Sequence, residues 1–319
     1  MSDALNFAWI IDPLESLNLA KDSSLELMRA AAVRGHHLFV IEPDGLQATQ
    51  DQVWAECKRI HYRSENQLPE YCQAPIYHPL SHFHAVLMRK DPPFDAEYLY
   101  ATHLLELAEL QGVRVINRPR ALRDFNEKLV TLRFPHLTPP TLVARQVSAF
   151  REFLDIHQDI ILKPLDGMGG RGIFRIQKSD SNFNVIWEML SAEGTRTLMA
   201  QRYLPEIING DKRILMVDGQ PLPYVLARIP SPGENRGNLA AGGTGRVQPL
   251  SSDDQIIAEA VGPFLRQSGI LLAGLDVIGQ SLTEINVTSP TCLREIRDQT
   301  GIDGARQVIE VLEKACRHI

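Results

Sequence analysis

The stretch that decides the fold reads Ile160-Ile161-Leu162-Lys163-Pro164-Leu165-Asp166-Gly167-Met168-Gly169-Gly170-Arg171-Gly172. Apolar residues over 159–162 predict a short strand before it, and residues 173–177 predict a second strand after it. The glycines between them lack a Cβ, so the backbone N–H groups of the loop can approach a polyphosphate closely. Lys163 adds a positive charge at the base of the loop. We therefore interpret this segment as a cover over ATP phosphates.

Other glycine-rich motifs compete with this interpretation. Gly167, Gly169 and Gly172 match the G-x-G-x-x-G pattern of dinucleotide sites, but that pattern has to open a helix, and here a β-type run follows. A P-loop ends in Gly-Lys-Ser/Thr, and residues 171–173 do not. A glycine-rich hairpin turn without a ligand stays open at this point.

Composition and charge narrow the class of protein. The chain has 319 residues, which predicts two or three domains at roughly 100–200 residues each. The net charge of −6 and the lack of a basic run argue against nucleic acid as the main partner. No segment approaches the roughly 18 apolar residues of a membrane-spanning helix, and the first residues lack a secretory signal pattern. The four cysteines form no C-x-x-C pair, so we expect reduced thiols in a cytoplasmic protein.

Residues 1–122 are predicted to form an N-terminal open α/β domain. A strand pattern over 5–11 is followed by a helix that begins near Asp22 and ends at Gly35, and then by a strand over 37–41. This order is typical of a βαβ unit, in which ligands bind at the carboxyl ends of the strands.

A charged segment, Arg89-Lys90-Asp91-Pro92-Pro93, leaves the carboxyl end of a later strand over 85–88. The planar fork of Arg89 suits a substrate carboxylate. A solvated charged turn is the alternative.

The glycine loop belongs to a predicted small α+β subdomain, residues 123–204. We expect a helix that starts at Arg118 and includes Lys128, and then strands over 141–144 and 197–204 with helices between them. Prolines near 135–140 mark a connection between this subdomain and the first domain.

The C-terminal part, residues 205–319, begins with a predicted hairpin that carries an arginine at each end. Arg213 and Arg228 flank two strand-like runs joined by Asp218-Gly219, so we expect both side chains at one end of the sheet. The loop over 229–246 exceeds the roughly 12–15 residues usual for a structureless loop. We interpret it as a lid that closes over a substrate.

Three oxygen-bearing side chains lie on two consecutive predicted strands. Glu284 and Asn286 are two residues apart in a strand and so point to the same face, and Asp276 can join them from the strand before. Carboxylate and amide oxygens suit Mg²⁺, and an unpaired buried carboxylate is costly. We interpret the set as a magnesium site; solvent-facing residues are the alternative.

Four longer motifs resemble bacterial glutathione synthetase, a family of the ATP-grasp ligase superfamily. The resemblance runs from about residue 5 to the C-terminus. It implies an ATP-grasp fold, with the N-terminal open α/β (pre-ATP-grasp) domain, the α+β lid subdomain and the C-terminal α+β subdomain outlined above. The motifs are Met88-Arg89-Lys90-Asp91-Pro92-Pro93-Phe94, Ile161-Leu162-Lys163-Pro164-Leu165-Asp166-Gly167-Met168-Gly169-Gly170, Asn238-Leu239-Ala240-Ala241-Gly242-Gly243 and Glu284-Ile285-Asn286-Val287-Thr288-Ser289-Pro290-Thr291.

The resemblance also implies a reaction. ATP phosphorylates the cysteinyl carboxylate of γ-glutamylcysteine, and the amine of glycine attacks the acyl phosphate to form the peptide bond. Mg²⁺, or Mn²⁺ in its place, accompanies ATP, and the protein assembles as a homodimer or homotetramer.

The resemblance assigns roles to individual residues. Arg213 and Arg228 would stabilise the acyl phosphate, while Asp276, Glu284 and Asn286 would bind the metal. Arg89, Arg236, Asn286 and Ser289 are the implied substrate contacts. The implied ATP contacts are Lys128, Lys163, Gly167, Gly169, Gly170, Gln201, Tyr203, Leu204 and Asp211.

Three other functions stay open at this point. Another carboxylate–amine ligase of the superfamily would keep the ATP and metal residues but does not need the Arg89 segment. A small-molecule kinase would leave the phosphoryl group on a hydroxyl. A non-catalytic sensor would bind ATP without turnover.

Overall fold

The computed structural model describes residues 4–64, 66–234, 236–237 and 242–317. The first domain is a mixed sheet in the order β3-β4-β2-β1-β7-β8, in which β1 runs parallel to β2 and β7, and short β5 and β6 pair with β4. The strands are β1 Asn6–Ile10, β2 His37–Ile41, β3 Leu46–Ala48, β4 Val53–His61, β5 Glu70–Tyr71, β6 Ile76–Pro79, β7 Ala85–Met88 and β8 Val115–Ile116, and the helices are α1 Ser23–Val33, α2 Ala96–Leu110 and α3 Pro119–Asp124.

The predicted βαβ opening is present, and its helix begins where a side chain caps it. The carboxylate of Asp22 accepts hydrogen bonds from the backbone N–H groups of Ser24 and Leu25. These N–H groups have no partner inside the helix, so the cap determines where α1 starts.

A smaller antiparallel sheet carries the glycine loop. Its order is β11-β10-β12-β9, and α4 and α5 cover a core of its own around Phe150 and Leu162. The loop joins β10 to β11, as the sequence predicts. The elements are β9 Thr141–Ala144, α4 Val147–His157, β10 Asp159–Pro164, β11 Phe174–Gln177, α5 Phe183–Ser191 and β12 Leu198–Arg202.

The third sheet is antiparallel, with the order β16-β15-β13-β17-β18 and β14 paired to β13. Its elements are β13 Asp211–Val217, β14 Gln220–Pro221, β15 Tyr224–Ile229, β16 Thr244–Pro249, α6 Ser252–Gln267, β17 Leu272–Ile278, β18 Ser281–Asn286, α7 Leu293–Thr300 and α8 Gly304–Arg317. Short 3₁₀ helices lie at Leu14–Ser16, Pro43–Gly45, Leu80–His82, Leu129–Arg133 and Pro205–Asn209.

The first and third sheets share one hydrophobic core. Ile10 and Met88 from the first domain belong to the same buried cluster as Ile214 and Leu275 from the third. Asn117, which is 4% exposed, reinforces this contact. Its amide group donates to the carbonyls of Leu272 and Val287 and accepts from the N–H groups of Leu271 and Leu272.

The position of Lys128 differs from the prediction. We expected it inside a helix starting at Arg118, but α3 ends at Asp124. The side-chain oxygen of Asn126 accepts hydrogen bonds from the backbone N–H groups of Lys128 and Leu129. Asparagine side chains that bond the backbone ahead of them favour turns over helix, which explains the break.

The segment around Lys128 packs on the third sheet. The N–H groups of Leu282 and Ile285 in β18 donate to the carbonyls of Leu137 and Glu127. Residues 125–137, placed by sequence in the central subdomain, therefore border β18.

Two other expectations change in detail. Residues 244–246, predicted to end the long loop, belong to β16, which pairs with β15. The sequence Ser289-Pro290-Thr291 predicts the start of the next helix, but α7 begins later, at Leu293. Across the described ranges, no helix combines the length and apolar character that crossing a membrane requires.

Candidate active site

A cleft between the second and third sheets collects the residues predicted to bind ATP. The cleft is lined by the end of β10, which carries Lys163, by the glycine loop, and by β17 and β18. Among the lining residues are Lys128, Lys163, Gly167, Met168, Gly169, Gly170, Gln201, Tyr203, Leu204, Asp211, Arg236, Asp276 and Glu284.

Two buried lysines meet one carboxylate in the cleft. The Nζ atoms of Lys163 and Lys128 lie 3.6 Å and 3.7 Å from Oε1 of Glu284. Lys128 Nζ also donates to the carbonyl of Gly167 at 2.6 Å. Burial lowers the pKa of Lys163, and the neighbouring Glu284 opposes that shift. Two ammonium groups on one carboxylate leave a net positive charge, which suits a phosphate chain.

The glycine loop has a backbone conformation that needs glycine. Gly169, Gly170 and Gly172 have φ angles of 63°, 81° and 71°, in the left-handed region that costs other L-residues energy. Arg236 reaches the loop and donates to the carbonyl of Gly170 at 3.4 Å. The predicted glycine loop thus lines the cleft, and hydrogen bonds from Arg236 and Lys128 hold it there.

The end of β12 and the residues that follow it form another side of the cleft. Gln201 is 4% exposed, and its amide donates to the hydroxyl of Thr141. The guanidinium of Arg175 lies 3.6 Å from the ring centre of Tyr203. Apolar Leu204 lines the same side, so the chain offers an apolar slot with polar edges, as a planar base needs.

Asp211 carries an unsatisfied oxygen at this side of the cleft. Its Oδ2 accepts from Arg228 at 2.5 Å, while the buried Oδ1 has no hydrogen-bond partner in the part of the chain that the structure describes. Burial raises the pKa of Asp211, and Arg228 opposes the shift. An orphaned buried acceptor fits a ligand hydroxyl, such as one of a ribose.

Arg213 and Arg228 meet at one carboxylate, so their side chains lie at the same end of the sheet, as the sequence predicts. Arg213 opposes Asp276 in the β13–β17 register, and its Nε and Nη2 lie 2.5 Å and 3.0 Å from the Asp276 oxygens. Arg228 Nη2 lies 2.9 Å from Oδ2 of Asp276. Burial opposes ionisation of Asp276, but the two guanidinium groups outweigh it and hold its pKa well below the usual range. The cluster is thus ionised and held rigid before any ligand binds.

The proposed magnesium ligands are neighbours across two strands. Asp276 pairs with Glu284, and Asn286 pairs with Gly274, which precedes Asp276 by two residues in β17. The amide nitrogen of Asn286 donates to the carbonyl of Gly274 at 3.3 Å. In the described ranges no three Asp, Glu, His or Cys side chains cluster as a metal site. A cation would therefore need the amide oxygen or phosphate oxygens besides the two carboxylates, a donor set that suits Mg²⁺.

Arg89 and Ser289 lie outside the cleft. Arg89 is 5% exposed, and its guanidinium donates to the hydroxyl of Ser24 and to the carbonyls of Thr288 and Pro290. Ser289 hydrogen-bonds Asp91. In this conformation Arg89 holds the loop after β18 in place, and its contact with substrate stays a prediction.

The predicted lid is described only in part. Residues 235 and 238–241, which include four of the six residues of the Asn238-Leu239-Ala240-Ala241-Gly242-Gly243 motif, lie outside the described residues. Arg236 is described and lines the cleft, where it also bonds Glu234.

Glu127 helps to position the site through the end of β18, and the sequence did not indicate it. One of its oxygens accepts from the N–H groups of Val287 and Thr288 and from the Thr288 hydroxyl, at 2.8–3.0 Å. It thereby ties the segment before Lys128 to the end of β18, which carries Glu284 and Asn286. Its place next to Lys128 in sequence was the available signal.

The fold and the site define the class of protein. D-cycloserine synthetase DcsG superposes with a TM-score of 0.67 at 17% identity, covering 97% of this chain and 99% of that one. The ATP-grasp ligase PsnB, complexed with its minimal precursor, Mg and ADP, superposes with a TM-score of 0.61 at 16% identity, covering 98% of both chains. These likenesses show that the chain has the ATP-grasp fold.

Sequence comparison narrows the class to a family. The model of the prokaryotic glutathione synthetase N-terminal domain matches residues 5–123, and the model of the ATP-grasp domain of the same family matches residues 127–301. The glutathione synthetase of Nitrosomonas europaea is 56% identical, covering 97% of this chain and 98% of that one. That of Pseudomonas syringae pv. tomato is 52% identical, covering 96% of both. The chain belongs to the prokaryotic glutathione synthetase family, and the predicted fold and family are confirmed.

Proposed function

We propose that the chain joins γ-glutamylcysteine and glycine to form glutathione, with ATP converted to ADP and phosphate through an acyl phosphate. The observation that carries the proposal is the arginine pair Arg213 and Arg228, held on Asp276 beside the two cleft lysines. Family membership over nearly the whole chain supports the same reaction. A kinase or a non-catalytic sensor has no such support.

ATP would lie along the cleft with its phosphates at the lysines. Lys128 and Lys163 would neutralise the phosphates under Gly167, Gly169 and Gly170, since both Nζ atoms already point at this end. The base would occupy the slot at Gln201, Tyr203 and Leu204, and the free oxygen of Asp211 would accept from the ribose.

Asp276, Glu284 and Asn286 would hold Mg²⁺, with Mn²⁺ as a possible substitute. A cation there neutralises the ATP phosphates and draws charge from the group that leaves. The neighbouring arginines do not exclude it, because Oδ1 of Asp276 accepts one hydrogen bond and keeps a second lone pair, while Oδ2 contacts both guanidinium groups.

The reaction then needs positioning and charge neutralisation. An oxygen of the cysteinyl carboxylate attacks the γ-phosphorus, and ADP leaves. The amine of glycine attacks the acyl carbon, phosphate leaves with its pair of bonding electrons, and the amine loses a proton. Arg213 and Arg228 would neutralise the phosphoryl oxygens in both steps, because their guanidinium groups are held in place in advance.

Further parts of the proposal concern the substrate side. Arg89, Arg236, Asn286 and Ser289 would contact the substrates, and the loop over 229–246 would exclude water from the acyl phosphate. For Arg89 and Ser289 this requires a change of partners, since both bond the chain itself.

A homodimer or homotetramer, a cytoplasmic location and the domain limits 1–122, 123–204 and 205–319 stay predictions.

The test is phosphate release with ATP, Mg²⁺, γ-glutamylcysteine and glycine, and with each omitted in turn. Release that needs all four, with glutathione formed in equal amount, supports the proposal. Release without glycine at the same rate indicates phosphoryl transfer to another acceptor. ATP binding without release indicates another substrate or a sensor.

A further inference from the structure

Three consecutive residues, Asn126-Glu127-Lys128, lie between two parts of the cleft. They follow α3 and precede the 3₁₀ helix at Leu129–Arg133. On one side they bond the glycine loop of the second sheet, and on the other they bond β18 of the third sheet, which carries Glu284. We call these three residues the junction.

The junction holds the start of the glycine loop through two carbonyl groups. The amide nitrogen of Asn126 donates to the carbonyl of Leu165 at 3.1 Å, and Nζ of Lys128 donates to that of Gly167 at 2.6 Å. The oxygen of the same Asn126 amide accepts from the N–H groups of Lys128 and Leu129. An asparagine amide has separate donor and acceptor atoms, so this one side chain shapes the turn and holds the loop at the same time.

The junction also holds the outer edge of β18. This strand is the last in the order of the third sheet, so the N–H groups on its free edge have no further strand to bond. The carbonyl of Glu127 accepts from the N–H of Ile285, and its Oε1 accepts from the N–H groups of Val287 and Thr288. These hydrogen bonds lie on both sides of Asn286 in the sequence, one of the proposed metal ligands.

The two parts of the cleft therefore keep a fixed spacing. Lys128 bonds the loop, and its Nζ also lies 3.7 Å from Oε1 of Glu284 on the strand. Mg²⁺ tolerates little distortion of its octahedral shell, so a cation that shares oxygens of β18 and of a phosphate chain needs both at set positions. A loop free to move away from β18 would bind the phosphates without presenting them to the cation.

We propose that Asn126 and Glu127 are positioning residues that couple the binding of ATP to the binding of Mg²⁺. They hold the glycine loop at a fixed distance from β18, so that each ligand raises the affinity for the other by the same factor. The inference rests on the proposed function only in its ATP and magnesium sites. If the two residues served only the stability of the fold, their loss would weaken ATP binding equally with and without Mg²⁺.

The experiment measures this coupling as a ratio of two binding constants. The full-length protein is titrated calorimetrically with ATP, once in Mg²⁺ and once in EDTA, without donor or acceptor substrate. The Kd in EDTA divided by the Kd in Mg²⁺ is the magnesium ratio, and it is compared between the wild type and the variants.

The variants remove single contacts of the junction. Asn126→Ser keeps an oxygen for the turn but is too short to reach the carbonyl of Leu165. Glu127→Ala removes the acceptor of the N–H groups of Val287 and Thr288. Glu127→Gln restores an oxygen at that place without the charge.

The matched control for stability is Glu313→Ala. Glu313 also receives several hydrogen bonds, from Arg34 and His36, but it lies on α8 and does not line the cleft. Its replacement should therefore lower the stability of the fold and leave the magnesium ratio at the wild-type value.

Asn126→Ser and Glu127→Ala are each expected to lower the magnesium ratio at least about 5-fold, the lower end of typical coupling between two ligands. Their Kd for ATP in EDTA should change little, because Lys128 and Lys163 remain. Glu127→Gln should keep most of the ratio, since the N–H groups of β18 and the segment after it retain an acceptor. If Glu127→Ala does not fold, Asn126→Ser decides the question.

Four outcomes overturn the inference. Equal rises of both Kd values mean that the junction acts only on the fold. A ratio that falls as far in Glu313→Ala follows stability and not the contacts of the junction. A ratio as low in Glu127→Gln as in Glu127→Ala means that the charge of Glu127 acts on the cation directly. A wild type with a ratio of about 1 shows no coupling between the two ligands.

Failure of the proposed function gives a different result. A protein that shows the expected ratios but forms no glutathione supports the coupling and contradicts the proposed reaction. A protein that forms glutathione, with wild-type ratios in Asn126→Ser and Glu127→Ala, contradicts this inference alone.

Discussion

At the scale of single residues, the candidate site consists of buried charges that hold one another. Asp276 receives two arginines, and Glu284 lies between two lysines. Asp276 stays ionised because both of its partners are cationic, and each cation is oriented because its partner is fixed. The site is therefore arranged before ATP binds, which reduces the reorganisation that the reaction needs.

Replacing Lys163 by methionine should weaken ATP binding. Methionine has about the same side-chain length as lysine, so the buried space stays filled. The change removes one of the two ammonium groups at Glu284. We expect the Kd for ATP to rise roughly 10- to 100-fold, as for a lost charge-assisted contact to phosphate. Calorimetric titration with MgATP would measure it. The control is Lys178→Met, an exposed lysine of the same subdomain. An unchanged ATP affinity would remove Lys163 from the site.

Replacing Arg228 by lysine should lower turnover more than binding. Lysine keeps the charge but cannot contact Asp211 and Asp276 at once, as the guanidinium does. We expect kcat to fall roughly 100-fold, a typical loss for one group that stabilises developing charge. Steady-state kinetics with varied ATP and γ-glutamylcysteine would show it, with exposed Arg120→Lys as control. A rise in KM at unchanged kcat would contradict the role given to Arg228.

At the scale of elements, the glycine loop depends on the strands that it joins. β10 pairs with β11 and with β12, so both ends of the loop are fixed in a sheet. Lys128 from the segment beside β18 then bonds the loop through Gly167. The loop covers the cleft because two separate elements hold it there, while its glycines permit the turn.

Gly170→Ala tests the loop as an element. Gly170 has φ 81°, where alanine costs roughly 1–2 kcal/mol. We expect the KM for ATP to rise several-fold, roughly 5- to 30-fold if the whole cost appears in binding. Gly112→Ala is the matched control, because Gly112 has φ 89° and open space around its Cβ position but lies in another domain. Equal effects of the two variants on the KM would show that the loop does not contact ATP.

At the scale of the whole molecule, the last helix, α8, contacts the first elements of the N-terminal domain. Helix α8 packs on α1, and Glu313 of α8 receives Arg34 through Nε at 2.6 Å and Nη2 at 2.7 Å. His36 Nε2 lies 2.7 Å from the same carboxylate, while the N–H of Leu5 donates to His36 Nδ1. The last helix therefore fastens the first strand.

Glu313 should make the stability of the protein depend on pH in the acid range. The hydrogen bonds from Arg34, opposed by burial and assisted by His36, lower its pKa from 4.5 to about 2. A lowered folded-state pKa means that the stabilisation is present above pH 4.5 and is lost as the pH falls towards 2. Glu313→Gln should reduce the free energy of unfolding at pH 7 by about 1–3 kcal/mol.

Urea denaturation over a series of pH values would measure this effect. The difference between wild type and Glu313→Gln should shrink as the pH falls below 4.5. Glu310→Gln, on the same helix but 42% exposed, should change stability by less than about 1 kcal/mol. If the difference in unfolding free energy between the two proteins stayed constant down to the lowest pH, Arg34 and His36 would not be lowering the pKa of Glu313.

The sequence by itself determined which chemistry the protein has. The strand–glycine–strand pattern, the two arginines of the hairpin and the alternation of Glu284 and Asn286 are local features, because they depend on the short period of a strand and on the φ angles of glycine. The longer motifs placed the chain in its family. Helix and strand positions could be predicted from the sequence where a capping residue or an apolar pattern marked them, as Asp22 marks the start of α1.

Only the tertiary structure decided which residues share the site. Lys128 leaves its predicted helix because Asn126 turns the chain, and it then reaches Glu284 from a distant part of the sequence. Arg89 is saturated by carbonyls 199 and 201 residues away, and Glu127 accepts from backbone N–H groups 160 and 161 residues away. Such contacts follow from packing between distant segments, and a single sequence holds no local signal for them.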